Sequence, residues 1–230
     1  MNNKKIKSNN EISELCSFSL GGFQQKVLIE GKSKDNPIVI TLHGGPGTPI
    51  PFSVGCRGLF PVFTDEFIMV YWDQLGCGIN NHVINDSFSV DSFVKMTEEL
   101  IANIKVKFPN NKIMIFSTSW GSILSAKLLE KNPYAVDCVI ACGQIIKNVF
   151  ICDEVRDTLA QTSIPVKKLE RIKNVTVDNF KGKDLQLISS ALRKYTNAYE
   201  NKIGKKAPMG TIMCQSSLHL QTSILLCIEF

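Results

Sequence analysis

The sequence predicts a doubly wound α/β fold: a mostly parallel sheet with helices on its faces. Three observations carry that prediction. Short, nearly all-apolar runs rich in β-branched residues recur through the first 141 residues. Stretches with the apolar spacing of amphipathic helices lie between them. Gly and Pro punctuate the joints. Apolar runs without alternation suit strands buried on both faces of a parallel sheet. Their alternation with helical patterns is the order of a doubly wound sheet.

Residues 1–14 are polar and rich in Lys and Asn, so a loose tail is expected there. The core is expected over 15–144. Residues 18–20 and 26–29 flank Gly21-Gly22 and read as a hairpin. Residues 38–42, 67–72, 113–116 and 136–141 are the expected sheet strands. Ser89 is a candidate cap for a helix with Phe93, Val94, Leu100, Ile101, Ile104 and Phe108 on one stripe, stopped by Pro109. Ile123, Leu124, Leu128 and Leu129 mark a second helix, closed by Asn132-Pro133. Composition changes from about residue 144, and residues 153–206 are charged and lysine-rich, with helical spacing in Leu185, Ile188, Leu192 and Tyr195; a helical cap outside the sheet is expected over 145–210. Residues 211–230 differ again, with no Lys or Arg after residue 206, and form an atypical C-terminal segment.

Composition excludes several function classes. With 44% hydrophobic residues and 13 Phe in 230 residues, the chain has ample material for a core. The 26 Lys and Arg against 21 Asp and Glu give a net charge of +5, but no basic cluster interleaves with aromatics, so no nucleic-acid partner is expected. No apolar run approaches the roughly 18 residues of a membrane span. The basic N-terminus has no apolar stretch behind it, and a cytoplasmic location is expected. None of the eight Cys forms a C-x-x-C pair, which suits free thiols in a reducing compartment. Three His without paired ligand spacing give no reason to expect a metal.

Three motifs carry chemistry. Ser117-Thr118-Ser119-Trp120-Gly121 lies directly after an expected strand and before an expected helix. A sharp turn there holds a serine in a strained, exposed position as a nucleophile, and close approach of strand and helix demands small neighbours. The plain alternative is a strand–helix joint with Ser119 as N-cap. Leu42-His43-Gly44-Gly45-Pro46-Gly47 follows the third strand. Its glycines let backbone N–H groups turn toward a ligand. Gly44 or Gly45 is the candidate for one oxyanion donor, and the Trp120 N–H for the other. His43 ends a strand inside this loop and reads as structural rather than as the catalytic base. Asp73-Gln74-Leu75-Gly76-Cys77-Gly78 follows the fourth strand; Asp73 reads as scaffold folded back on the turn, beside the wrong strand for a triad acid.

Together the three motifs resemble the proline iminopeptidase group of α/β-hydrolases over roughly residues 17–145. The resemblance implies an α/β-hydrolase sheet, a Ser–Asp–His triad with Ser119 as nucleophile, no cofactor, and a small peptide or acyl substrate. Peptidase members release an N-terminal residue, often proline, whose amine is gripped by acidic cap residues. An esterase or lactone hydrolase on the same scaffold, and a non-catalytic binding homologue, remain open alternatives. Two departures are small: Ser117 stands where the pattern has Gly, and Leu75 where the group usually has Arg. A third is larger. The only His after Ser119 is His219, and Glu229, which imitates an acid after a strand, follows it in the wrong order. The triad acid and base are therefore unassigned. The chain reads as C-terminally truncated, with the last strands missing. Strand 136–141 is then expected to form an open edge that favours oligomers.

Overall fold

The computed structural model describes residues 10–45, 47–85, 87–146, 153–176, 182–197 and 226–229. Contacts divide the chain into two units, one of Met1–Ile145 with Ser223–Phe230 and one of Ile146–Thr222.

The first unit holds a seven-stranded sheet. Its strands are β1 (Ile12–Leu20), β2 (Phe23–Gly31), β3 (Ile38–Leu42), β4 (Ile68–Trp72), β5 (Ile113–Thr118), β6 (Cys138–Cys142) and β7 (Leu226–Glu229), arranged β1-β2-β4-β3-β5-β6-β7. The central four, β4-β3-β5-β6, are mutually parallel. Antiparallel pairs flank them: β1 with β2 and β2 with β4 on one side, β6 with β7 on the other. This is the predicted class, with an antiparallel border at each end.

Three helices accompany the sheet. They are α1 (Pro61–Glu66), α2 (Val90–Lys107) and α3 (Trp120–Lys131). The expected stripe buries as read: Phe93, Val94, Leu100, Ile101 and Ile104 of α2 join Leu124 and Leu128 of α3. They pack against Ile40, Val70, Trp72 and Ile115 of the sheet. The alternate residues Met69 and Tyr71 join Phe52 and Val54 in a second cluster, flanked by Phe60 and Phe116, as period-two side chains must. Phe52 sits at the centre of this aromatic group, edge-on to Phe60, Phe63 and Phe116 at ring distances of 4.9, 5.6 and 5.7 Å.

Three differences from the sequence reading have physical causes. Residues 12–14, expected within a loose tail over 1–14, belong to the sheet, because β1 starts at Ile12 and pairs along its whole length with β2, from Ile12↔Gly31 to Leu20↔Phe23; residues 1–9 lie outside the described residues. Helix α1 was not expected; it has six residues, no side-chain cap, and only Pro61 at its first turn as a signal. The edge expected to stay open is covered: β7 runs antiparallel along β6 from Ala141↔Leu226 to Cys138↔Glu229, so the sheet border is β7.

The second unit contains α4 (Asp153–Ala160), α5 (Val166–Lys173) and α6 (Gly182–Tyr195). Leu159, Ile164, Ile172, Val175, Ile188 and Ala191 form its core, with Leu192 and Tyr195 packed against it. The Leu185 side chain and residues 198–225 lie outside the described residues. Among the described residues, no helix is long and apolar enough to cross a membrane.

Ser89 caps α2: its hydroxyl accepts from the Ser92 N–H at 3.4 Å, and its own N–H donates to the Ser92 hydroxyl at 3.1 Å. Ser89→Ala should lower unfolding free energy by about 1 kcal/mol. Urea denaturation checks this; an unchanged midpoint would mean that the long helix is held by packing alone.

Candidate active site

One residue separates β5 from α3, and it is Ser119. Its backbone sits at φ 48° and ψ −114°, the only positive φ of a non-glycine among the described residues. Such a conformation costs on the order of 1–3 kcal/mol and persists only when its surroundings impose it. Here they do. The Ser119 N–H donates to the Cys142 carbonyl at 3.0 Å, and the Ser119 carbonyl accepts from the Ser122 N–H at 2.9 Å and from the Ser122 hydroxyl. The residue is exposed. Gly121 is required by close approach, because a Cβ there would overlap the carbonyl oxygen of Leu42 at the end of β3. The departure at Ser117 also has a reason. Its buried hydroxyl is 2.9 Å from that of Ser125 on α3, so the strand–helix contact accommodates a paired polar side chain.

Gly44 backs onto this turn. A Cβ on it would lie 3.2 Å from the Ser119 Cβ and 3.4 Å from the Thr118 carbonyl oxygen. The loop closes on itself through a Gly44–Thr48 bridge, leaving Gly45 exposed at φ 121°. Trp120 opens α3, a position whose N–H has no acceptor inside the helix. The structure thus brings together Ser119, the Gly44–Gly45 loop and the helix start at Trp120.

His43 is buried, and both of its ring nitrogens are occupied. Nε2 accepts from the Gln74 backbone N–H at 3.0 Å, so Nδ1 carries the proton and donates to the Gly44 carbonyl at 2.8 Å. Burial holds its pKa below the usual histidine value, against the opposing pull of the Gly44 bond and the Asp73 charge. It is a structural group, as its place in the loop suggested. The Cys77 thiol lies 3.5 Å from the same Nε2 and donates to the Gln74 carbonyl; burial, reinforced by Asp73, pushes its pKa up to about 11. A thiol held protonated is no nucleophile.

Asp73 is scaffold. One carboxylate oxygen accepts from the Val54 N–H at 2.9 Å, the other from the Ile79 N–H at 3.0 Å. Leu75 is buried in the main core, which suits an apolar side chain in place of the usual Arg. The residue missed by sequence reasoning is Gln74. Its amide joins the His43 carbonyl, at 3.2 Å, to the Trp120 indole, at 3.0 Å. Only its place inside the Asp73–Gly78 motif could have pointed to it.

No described side chain is hydrogen-bonded to the Ser119 hydroxyl. His219 lies outside the described residues. Glu229 pairs with Cys138, whereas Ser119 is bonded to Cys142 at the other end of β6. Four residues of strand put about 13 Å between those backbone positions. No group of three or more His, Cys, Asp or Glu among the described residues could hold a metal ion. Cys16, Cys56, Cys77 and Cys142 are free thiols.

The depressed pKa of His43 makes stability pH-dependent. The folded ring takes up a proton less readily than the unfolded ring, which does so below about pH 6.5. Its contribution is present above that pH and is lost as pH falls toward the folded value. The urea midpoint should drop between pH 7.5 and 5.5, and His43→Asn should flatten the slope while lowering the midpoint at pH 7.5. Equal slopes in both proteins would place the acid sensitivity elsewhere.

Comparison with known proteins agrees with this geometry. A family model described as alpha/beta hydrolase fold matches residues 37–205. A probable aminopeptidase, YbaC, of Bacillus subtilis is 30% identical over 131 residues, 56% of this chain and 40% of that protein. The proline iminopeptidase of Neisseria gonorrhoeae is 30% identical over 127 residues, 54% of this chain and 36% of its own length. The chain thus spans less than half the length of these curated relatives. Among solved structures, a proline iminopeptidase-related protein of Thermus thermophilus aligns with a TM-score of 0.53 at 16% identity, over 95% of this chain and 68% of that one. Sheet order, the sharp strand-to-helix elbow at Ser119 and the family match converge: the chain belongs to the alpha/beta hydrolase fold family.

Proposed function

We propose that this protein is a serine hydrolase with Ser119 as its nucleophile, acting as an aminopeptidase of the proline iminopeptidase type on small peptides. The observation that carries the reading is the backbone of Ser119, a strained, exposed serine alone between β5 and α3. In the proposed reaction Ser119 Oγ attacks the acyl carbon of the N-terminal residue and gives its proton to a general base. The carbonyl oxygen becomes an oxyanion facing the N–H of Gly45 (or Gly44) and that of Trp120. Collapse expels the leaving amine, which takes up a proton, and water then hydrolyses the acyl-enzyme. The names of the relatives, aminopeptidase and proline iminopeptidase, support an N-terminal residue as the acyl group.

The described histidines offer no base, since His43 is committed to its loop and His82 packs beside Phe23, with ring centroids 5.4 Å apart. His219 is the remaining His of the sequence. A phenolate leaves without protonation and an amine does not. Activated aryl esters should therefore turn over faster than proline p-nitroanilide.

Two measurements test the reading. A fluorophosphonate probe should label Ser119, and Ser119→Ala should lose labelling and at least about 10³-fold in ester turnover without a large drop in melting temperature. Hydrolysis that survives Ser119→Ala would overturn the assignment. A panel of amino-acid p-nitroanilides against aryl esters tests the peptidase reading, with proline expected first among the anilides. Anilide turnover abolished by His219→Ala would assign the base to His219; a preference for esters with no anilide turnover would make the protein an esterase.

A further inference from the structure

We infer that Gln74 is a positioning residue that sets the separation of the two oxyanion donors; this rests on the assignment of those donors to the Gly44–Gly45 loop and to Trp120. Gln74 is 1% exposed, yet it touches neither the Ser119 hydroxyl nor open solvent. Every polar group it owns is spent on the two donor segments or on the turn that carries it. Its backbone N–H donates to His43 Nε2 at 3.0 Å. Its side-chain Nε2 donates to the His43 carbonyl at 3.2 Å, and its Oε1 accepts from Trp120 Nε1 at 3.0 Å. Its carbonyl accepts from the Cys77 thiol at 3.1 Å.

The orientation of the amide follows from its partners. An indole N–H only donates and a carbonyl only accepts, so Oε1 must face Trp120 and Nε2 must face His43. One primary amide therefore joins the end of β3 to the start of α3. The tie reaches the donors themselves. His43, held through its Nε2 and its carbonyl, passes the constraint on by donating Nδ1–H to the Gly44 carbonyl at 2.8 Å. The Gly44 carbonyl and the Gly45 N–H belong to one planar trans peptide and point in opposite directions, so fixing the first aims the second. On the other side Trp120 is clamped between Gln74 and the edge of Phe93, with ring centroids 5.9 Å apart at 85°. Its own backbone N–H is the second donor. Oxyanion stabilisation depends on donors preset at hydrogen-bond distance from the developing charge. A residue that fixes their separation acts on the transition state and leaves substrate binding untouched.

Glutamine suits this position because it both donates and accepts. A methionine of similar length does neither. An ionised glutamate accepts from Trp120 but has no donor for the His43 carbonyl, whereas a protonated glutamate has both.

The test uses the full chain and an activated aryl ester. Gln74→Met should lower kcat by ten- to a hundredfold with KM within twofold. It should also shift the Trp120 indole proton upfield in an NMR spectrum, where the Trp72 indole, bonded to Gln25, serves as internal reference. Gln74→Glu should be impaired at high pH and should regain activity relative to the unsubstituted protein as pH falls and the new carboxyl gains its proton, with its Trp120 signal retained. If Gln74→Met is too unstable to assay, the Gln74→Glu pH profile carries the test alone. Two results overturn the inference by itself: near-normal kcat in Gln74→Met while Ser119→Ala is inactive, or a Gln74→Glu to wild-type ratio that does not change with pH. Hydrolysis that survives Ser119→Ala overturns the inference together with the nucleophile assignment.

Discussion

The site depends on how closely the first turn of α3 approaches the end of β3. Gly121 has no Cβ, and none would fit against the Leu42 carbonyl. That contact leaves a single residue to turn the chain from strand to helix, and one residue can do so only in a conformation that L side chains resist. Ser119 is held there by Cys142 on one side and Ser122 on the other. The same approach sets Gly44 against Ser119 and places a helix start, whose first N–H groups lack acceptors inside the helix, directly after it. Strain at one residue and proximity of two loops thus have one cause.

Much of this was legible in the sequence because its signals are local. Runs such as Ile38–Leu42 need no partner to be recognised as buried strands, and Ser89 ahead of the stripe that begins at Phe93 announces a helix start. What stayed hidden is non-local or short. β1 extends back to Ile12 because its backbone finds β2, although only Ile12 and Leu20, its two end residues, are buried. β7 joins β6 across more than eighty residues of chain, so an open edge was expected where a strand lies. Helix α1 is too short for a period to show. At the site, the glycines and Ser119 could be placed by motif. The work of Gln74 could not, because its partners come from β3 and α3 and meet only in the folded sheet.

The departures from the family pattern are informative for the same reason. Ser117 looks like a defect in the elbow until its hydroxyl is paired with Ser125, one strand–helix contact away. A buried hydroxyl without a partner would be costly, and this pair also draws α3 onto β5. Leu75 replaces a charged side chain with one that packs into the main core. Each substitution is compensated locally, within the layer it touches, so the elbow geometry survives both.

The charge state of the site follows from these contacts. An oxyanion hole built from backbone donors is neutral, and its usefulness lies in dipoles that need no reorganisation when charge develops. A charged imidazolium at His43 would lose its hold on the Gln74 N–H, because a protonated Nε2 has no lone pair to offer. Burial disfavours the charged ring and so favours the bond. The Asp73 carboxylate, buried close by, has both oxygens engaged by the Val54 and Ile79 N–H groups, which tie two further loops to the end of β4. The ionisable groups around the elbow are thus spent on holding backbone in place. The proposed nucleophile and its proposed donors are therefore held by contacts that involve no proton transfer, and the general base of the proposed reaction is a separate requirement from this framework.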